Sequence, residues 1–92
     1  DIEEAIKTLK NSGMQIFAAN GSGVNLPEIS SATLAKPTVW VFGNEAWGFE
    51  ESTLGAVDQE VAVPIYGAAE SLNLATAASI CLYASAFAQN AQ

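Results

Sequence analysis

The sequence contains no histidine and no arginine, and its one cysteine is Cys81. Without histidine, the Ser–His and Cys–His pairs of nucleophilic catalysis cannot be assembled, and the common zinc sites lose their ligands. A lone cysteine excludes an internal disulfide. Positive charge is equally scarce: Lys7, Lys10 and Lys36 stand against 10 Asp and Glu, giving a net charge of −7. Nucleic-acid binding draws most of its affinity from Lys and Arg neutralising phosphates, so this chain alone is poorly equipped to grip RNA or DNA. No positively charged start precedes an apolar stretch, which argues against a secretory signal. The longest apolar stretch, Leu72 to Ala88, is short for a membrane span and is interrupted by Asn73, Thr76, Ser79 and Ser85, so a buried helix and no membrane contact are expected.

What is present is the composition of a folded core. Half of the 92 residues are apolar and 14% are charged. That is the opposite of a disordered chain, and it is enough for one domain. Residues 1–92 are accordingly read as a single domain, with no internal repeat and no linker. So much apolar surface on a small body predicts that part of it is covered by a second subunit.

Along the chain, Asp1 to Ser12 carries Ile2, Ala5, Ile6 and Leu9 at helical spacing, with acids in its first turn, lysines later and Gly13 beyond, which are helix start and stop signals. Met14 to Ala19 reads as a strand ended by turn chemistry at Asn20-Gly21-Ser22-Gly23. That Gly-Ser-Gly lacks the third glycine and the following helix of a dinucleotide fingerprint. A helical turn is expected within Glu28 to Leu34. Thr38-Val39-Trp40-Val41-Phe42 is a β-branched and aromatic run of the kind buried on both faces of a parallel sheet. A short helix from Glu50 to Val57 and a third strand from Val61 to Tyr66 follow, with Pro64 marking its edge or exit. Leu72 to Gln89 reads as a helix with one stripe formed by Leu72, Thr76, Ile80, Tyr83 and Phe87 and a small or apolar opposite side with Leu74, Ala78, Cys81 and Leu82. Being apolar nearly all round, it should be covered by its own sheet and by a second subunit. Alternation of helix and strand with long links gives an α/β fold, a mainly parallel sheet with flanking helices.

In open parallel sheets ligands bind outside the carboxyl ends of the strands, so the loops after Phe42 and after Tyr66 are the places for chemistry. The first, Gly43-Asn44-Glu45-Ala46-Trp47-Gly48-Phe49, holds an amide and a carboxylate between two glycines. The second, Gly67-Ala68-Ala69-Glu70-Ser71-Leu72-Asn73, sets polar groups at the start of an apolar helix. A local alternative exists for each: Asn44 capping its own turn beside a solvated Glu45, and Ser71 or Asn73 capping the last helix. Trp40 and Phe42 read as core, Cys81 as an inert core thiol, and Trp47 as an exposed or interface aromatic.

Both loops also carry a resemblance. Val39 to Phe49 resembles the second motif of the SpoU (TrmH-like) RNA ribose methyltransferases, and Val63-Pro64-Ile65-Tyr66-Gly67-Ala68-Ala69-Glu70-Ser71-Leu72-Asn73-Leu74-Ala75-Thr76-Ala77-Ala78 resembles their third. The resemblance implies the SPOUT class, whose carboxyl end forms a deep trefoil knot, with S-adenosyl-L-methionine (S-adenosylmethionine) held there largely by backbone groups. On this chain it implies cofactor-binding positions at Phe42, Gly43, Asn44, Gly48, Ile65, Tyr66, Gly67, Leu72 and Leu74. Glu45 and Asn73 would organise the substrate side, with Ser71 as a polar contact beside them, and no metal would be needed. It further implies methyl transfer to a ribose 2′-hydroxyl of tRNA or rRNA, a cytoplasmic RNA-modifying enzyme, and a homodimer packed partly through the last helix.

The family's first motif, which carries an Asn and a catalytic Arg, has no counterpart in these residues, and Ala46 and Trp47 replace a common Gly and a basic residue. The chain is therefore expected to be the carboxyl-terminal portion of such a domain, inactive alone. A cofactor-binding or dimerisation module without catalysis is the alternative, and a small flavodoxin-like domain with an accidental match a third.

Overall fold

The computed structural model describes residues 1–43, 48–64 and 74–91. Helix α1 (Ile2–Asn11) begins where the Asp1 side chain accepts a hydrogen bond from the Glu4 amide at 3.0 Å, and Glu3 and Glu4 stand in its first turn. A capped, acidic start of this kind satisfies the orphan amides and suits the helix dipole. Strand β1 (Gln15–Asn25) follows, then a single 3₁₀ turn at Leu26–Glu28 and the short helix α2 (Ser31–Leu34). Strand β2 (Thr38–Phe42), helix α3 (Glu51–Ala56), strand β3 (Gln59–Ala62) and helix α4 (Leu74–Asn90) complete the order.

The three strands form one parallel sheet in the order β2-β1-β3. Residues Gln15 to Ala19 pair in register with Thr38 to Phe42, so the central strand is the earliest in sequence. Side chains alternate across the sheet. Ile16, Val39 and Val41 pack with Ile6, Leu9, Phe49, Ala56 and Val57 beneath α1 and α3. Phe17, Trp40 and Val61 pack with Leu26, Leu34, Cys81 and Ala88 beneath α2 and α4. The result is a sheet between two helical layers, the parallel α/β arrangement with flanking helices that the alternation predicts.

Two boundaries differ from the sequence reading. The expected turn at Asn20-Gly21-Ser22-Gly23 lies inside β1: Ala19 and Val24 are both partners of Val61, so residues 20–23 leave the ladder and the strand returns to it. The return brings the Gly23 backbone against Glu60 and Val61 so closely that a Cβ would collide with both. Glycine serves there to let two backbones approach, not to turn the chain. The third strand begins two residues earlier than expected, at Gln59, and ends at Ala62, before Pro64. Asp58 makes that early start, because its amide donates to the Ile16 carbonyl at 2.8 Å and its carboxylate accepts from the Ile16 amide at 2.7 Å.

Helix α4 seats on the sheet through Cys81, Ser85 and Ala88. Ser85, a polar interruption in the sequence, accepts a buried hydrogen bond from the Trp40 indole Nε1 at 2.9 Å, and the Trp40 ring meets Phe17 edge-on at 5.4 Å. Among the described residues no helix is long and apolar enough to cross a membrane. Burial pushes the Cys81 thiol up from 9.0 to about 11. Because the folded value is the higher, the protonated thiol favours the folded state below pH 9 and that contribution fades as pH rises toward 11. Iodoacetamide at pH 8.5 is therefore expected to label Cys81 at least about tenfold more slowly in native protein than in urea, the thiolate being the nucleophile. Equal labelling rates, read by mass spectrometry, would contradict an inert core thiol.

Candidate functional site

The two connections around β2 leave the sheet on opposite sides. The link from β1 leads to α2, beneath which Leu34 joins the α4-side core, whereas the link from β2 leads to α3, whose Ala56 joins the α1-side core. A parallel sheet opens a crevice where neighbouring loops depart to opposite faces, which here is at the carboxyl ends of β1 and β2. Ala19 and Phe42 are the last pair of that ladder, so Asn20 and Gly43 stand at its mouth.

Of the residues expected to form the site, Phe42, Gly43, Gly48 and Leu74 are described. Asn44, Glu45, Ile65, Tyr66, Gly67, Ser71, Leu72 and Asn73 lie outside the described residues, as does Trp47. Phe42 is half-buried and packs against the α4-side core. Gly43 and Gly48 come together: a Cβ on Gly43 would stand 2.8 Å from the Gly48 carbonyl and 3.1 Å from the Phe49 ring. Gly48 itself has φ +69°, a left-handed conformation suited to glycine. The loop after β2 is thus closed at its neck by two glycines. Leu74 opens α4 and is 39% exposed.

A polar cluster that the sequence reading did not single out lies beside this mouth. The Asn20 side-chain amide donates to Glu60 Oε1 at 2.7 Å and to Ser22 Oγ at 3.1 Å, and the Ser22 hydroxyl lies 3.5 Å from the same carboxylate oxygen. Its partners are 40 positions apart, so only the register of β1 on β3 could have revealed it. Ser22, Gly23, Leu54, Val57 and Glu60 line an open cavity of about 420 Å³, and none of Phe42, Gly43, Gly48 and Leu74 borders it. Two of the three lysines lie away from the carboxyl end: Lys10 pairs with Asp58 at 3.3 Å beside the start of β3 and donates to the Ala56 carbonyl at 2.8 Å, and Lys36 precedes β2. That exposed pair is worth at most about 1 kcal/mol.

A parallel α/β domain with a glycine-necked loop at the carboxyl ends of its strands is a ligand-binding fold of the open-sheet class. The family model for the SpoU rRNA Methylase family matches residues 1–83, and the chain belongs to that family. It is 34% identical over 93 residues to the 23S rRNA (guanosine-2′-O-)-methyltransferase RlmB of Nitrosomonas europaea, covering 100% of this chain and 34% of that protein. It is 40% identical over 76 residues to the tRNA (guanosine(18)-2′-O)-methyltransferase of Aquifex aeolicus, covering 80% and 35%. The crystal structure of the A. aeolicus TrmH/SpoU tRNA modifying enzyme superposes with a TM-score of 0.80 at 33% identity, over 98% of this chain and 45% of that one. An AdoMet-bound rRNA methyltransferase from Sinorhizobium meliloti follows at 0.75 and 31%, over 90% and 31%. The chain spans 34% to 42% of the length of such curated relatives.

Proposed function

We propose that the whole protein transfers a methyl group from S-adenosylmethionine to a ribose 2′-hydroxyl of tRNA or rRNA, and that this chain supplies the cofactor-holding side of the site. The observation that carries the reading is the family match over residues 1–83, which includes the glycine-necked loop and the start of α4. Relatives at 34% and 40% identity bear the names of RNA 2′-O-methyltransferases, and a solved structure at 31% identity is described as AdoMet bound. The described residues suit such a ligand. The neck formed by Gly43 and Gly48 has no room for a side chain at Gly43, which favours recognition by backbone groups.

When bound, the cofactor supplies an electrophilic methyl group on a sulfonium. Phe42, Gly43, Asn44 and Gly48 from the second motif, with Ile65, Tyr66, Gly67, Leu72 and Leu74 from the third, hold it in our reading. Glu45 and Asn73 orient the acceptor ribose and Ser71 contributes a polar contact, so that positioning and assistance to proton removal carry the rate. The carboxyl segment forms the trefoil knot of the SPOUT class. A second copy of the chain covers the exposed side of α4, where Leu82, Tyr83 and Phe87 are 56%, 68% and 66% exposed, giving a homodimer. RNA is gripped by the remainder of the protein, since this chain carries three lysines, no arginine and a net charge of −7, and the cytoplasm is the compartment that fits these substrates.

The absence of arginine supports a second reading, a cofactor-binding or dimerisation module without catalysis. Asn73→Ala in the full-length protein separates the two. Methyl incorporation from labelled S-adenosylmethionine into bulk tRNA and rRNA should fall about 100-fold, the scale of a positioned proton-transfer or orienting group. Unchanged incorporation would remove Asn73 from the site. A wild-type protein that binds the cofactor yet labels neither RNA would establish the module.

A further inference from the structure

Asn20 follows Ala19, the last residue of the central strand paired with β2, and so stands at the mouth of the crevice as Gly43 does after Phe42, while the central strand goes on to pair with β3 at Val24 and Asn25. A carboxylate only accepts hydrogen bonds, so the contact with Glu60 Oε1 must be made by the Asn20 NH₂ group, which fixes which way the amide faces. Both hydrogens of that group are engaged, one by Glu60 and one by Ser22 Oγ. Planarity of the amide then turns Oδ1 away from Glu60. That oxygen accepts no hydrogen bond among the described residues. It is not sealed off either, because no buried side-chain oxygen or nitrogen of the described residues is left without a partner. Gly23, lodged against the Glu60 and Val61 backbone, anchors the other end of the same excursion. An acceptor held in one orientation at a ligand-binding strand end, with its donors already spent, is a preorganised specificity element.

We infer that Asn20 Oδ1 accepts a hydrogen bond from the nucleoside part of the cofactor, with Glu60 as the positioning residue that aims it. The inference rests on the cofactor reading above. The donor is an N–H or O–H of adenosine, either the 6-amino group or a ribose hydroxyl. A site built around a fixed acceptor discriminates against ligands that lack the donor, because the acceptor is then left unpaired.

The test uses the full-length protein and calorimetric titration with S-adenosylhomocysteine, its inosine analogue, in which the 6-amino group is replaced, and its 2′-deoxy and 3′-deoxy analogues. Wild-type protein should favour the parent ligand over one of the analogues by about tenfold, the usual scale of one hydrogen bond in a binding site. Which analogue loses affinity names the donor. In Asn20→Ala that preference should collapse toward one, with the other ligands unaffected relative to each other. Glu60→Ala should weaken the preference, and Glu60→Gln, which keeps an acceptor oxygen, should restore it. The exchanged pair Asn20→Asp with Glu60→Gln reverses donor and acceptor while leaving an oxygen at position 20 to accept, so it should bind with the wild-type preference, and thermal midpoints report whether each variant is folded. Uniform weakening toward every analogue in a folded Asn20→Ala protein, or no change at all, overturns the role of Asn20 while leaving the cofactor reading intact. Failure of the wild type to bind S-adenosylhomocysteine overturns both.

Discussion

Gly23→Ala is expected to lower the thermal midpoint by roughly 15 °C, while Gly21→Ala, two positions away, leaves it unchanged or slightly raised. The difference lies in what a methyl group would meet. At Gly23 it would be driven into the Glu60 carbonyl and the Val61 nitrogen, which are backbone atoms of a buried strand with no rotamer to yield. Relief requires β1 and β3 to separate where Val24 rejoins the ladder, at a cost of about 3 kcal/mol, in the upper range for overpacking. For a domain of this size each kcal/mol shifts the midpoint by about 4–8 °C. At Gly21 nothing lies within 4 Å and the backbone is not left-handed, so alanine merely narrows the unfolded ensemble. Circular dichroism melts of the two variants decide the matter, and a Gly23→Ala midpoint within about 2 °C of wild type would mean that the strand does not return to β3 as described.

The second large effect concerns assembly. Tyr83→Glu and Leu82→Glu should each convert the proposed homodimer to monomer at about 10 μM, raising the dissociation constant by more than about 30-fold, since a carboxylate buried in an apolar interface costs several kcal/mol. Tyr83 and Phe87 stack at 6.0 Å with their planes 29° apart, so the outer side of α4 presents a flat aromatic surface one turn long, flanked by Ile80 and Leu82. The substitutions leave the inner side, Cys81, Ser85 and Ala88, untouched, so folding itself should survive. Sedimentation velocity reads the outcome directly. An unaltered dimer from both variants would place the interface elsewhere.

Much of the fold is legible in the sequence because local and tertiary preferences agree there. Thr38 to Phe42 reads as a doubly buried strand from its β-branched and aromatic run, and its bounds match those of β2. Asp1, the early acids and Gly13 frame α1 for the same reason: capping is local chemistry. The misses occur where distant partners override local chemistry. Asn20 to Gly23 has the composition of a turn, yet it stays within a strand because Glu60 and Val61 receive it. Gln59 and Glu60 are poor strand formers by themselves, and Asp58 locks them onto β1 through Ile16. The candidate site divides along the same line. Two glycines around a polar loop mark a place for positive φ or close backbone approach from sequence alone, but that Gly43 and Gly48 meet at its neck, like the pairing of Asn20 with Glu60, is visible only in the fold. Leu82 illustrates the limit of helical periodicity: grouped with Cys81 on the side opposite the Tyr83 stripe, it is 56% exposed whereas Cys81 is fully buried.

The hydrogen bond from Trp40 to Ser85 makes the protein optically self-reporting. Its indole is wedged between Phe17 and α4, so native emission from that ring should be blue-shifted, and any event that lifts α4 from the sheet will send it to longer wavelength while β1 and β2 remain paired. With Trp47→Phe removing the other tryptophan, fluorescence during dilution would report whether loss of the proposed partner subunit also loosens α4, the helix proposed to bind it.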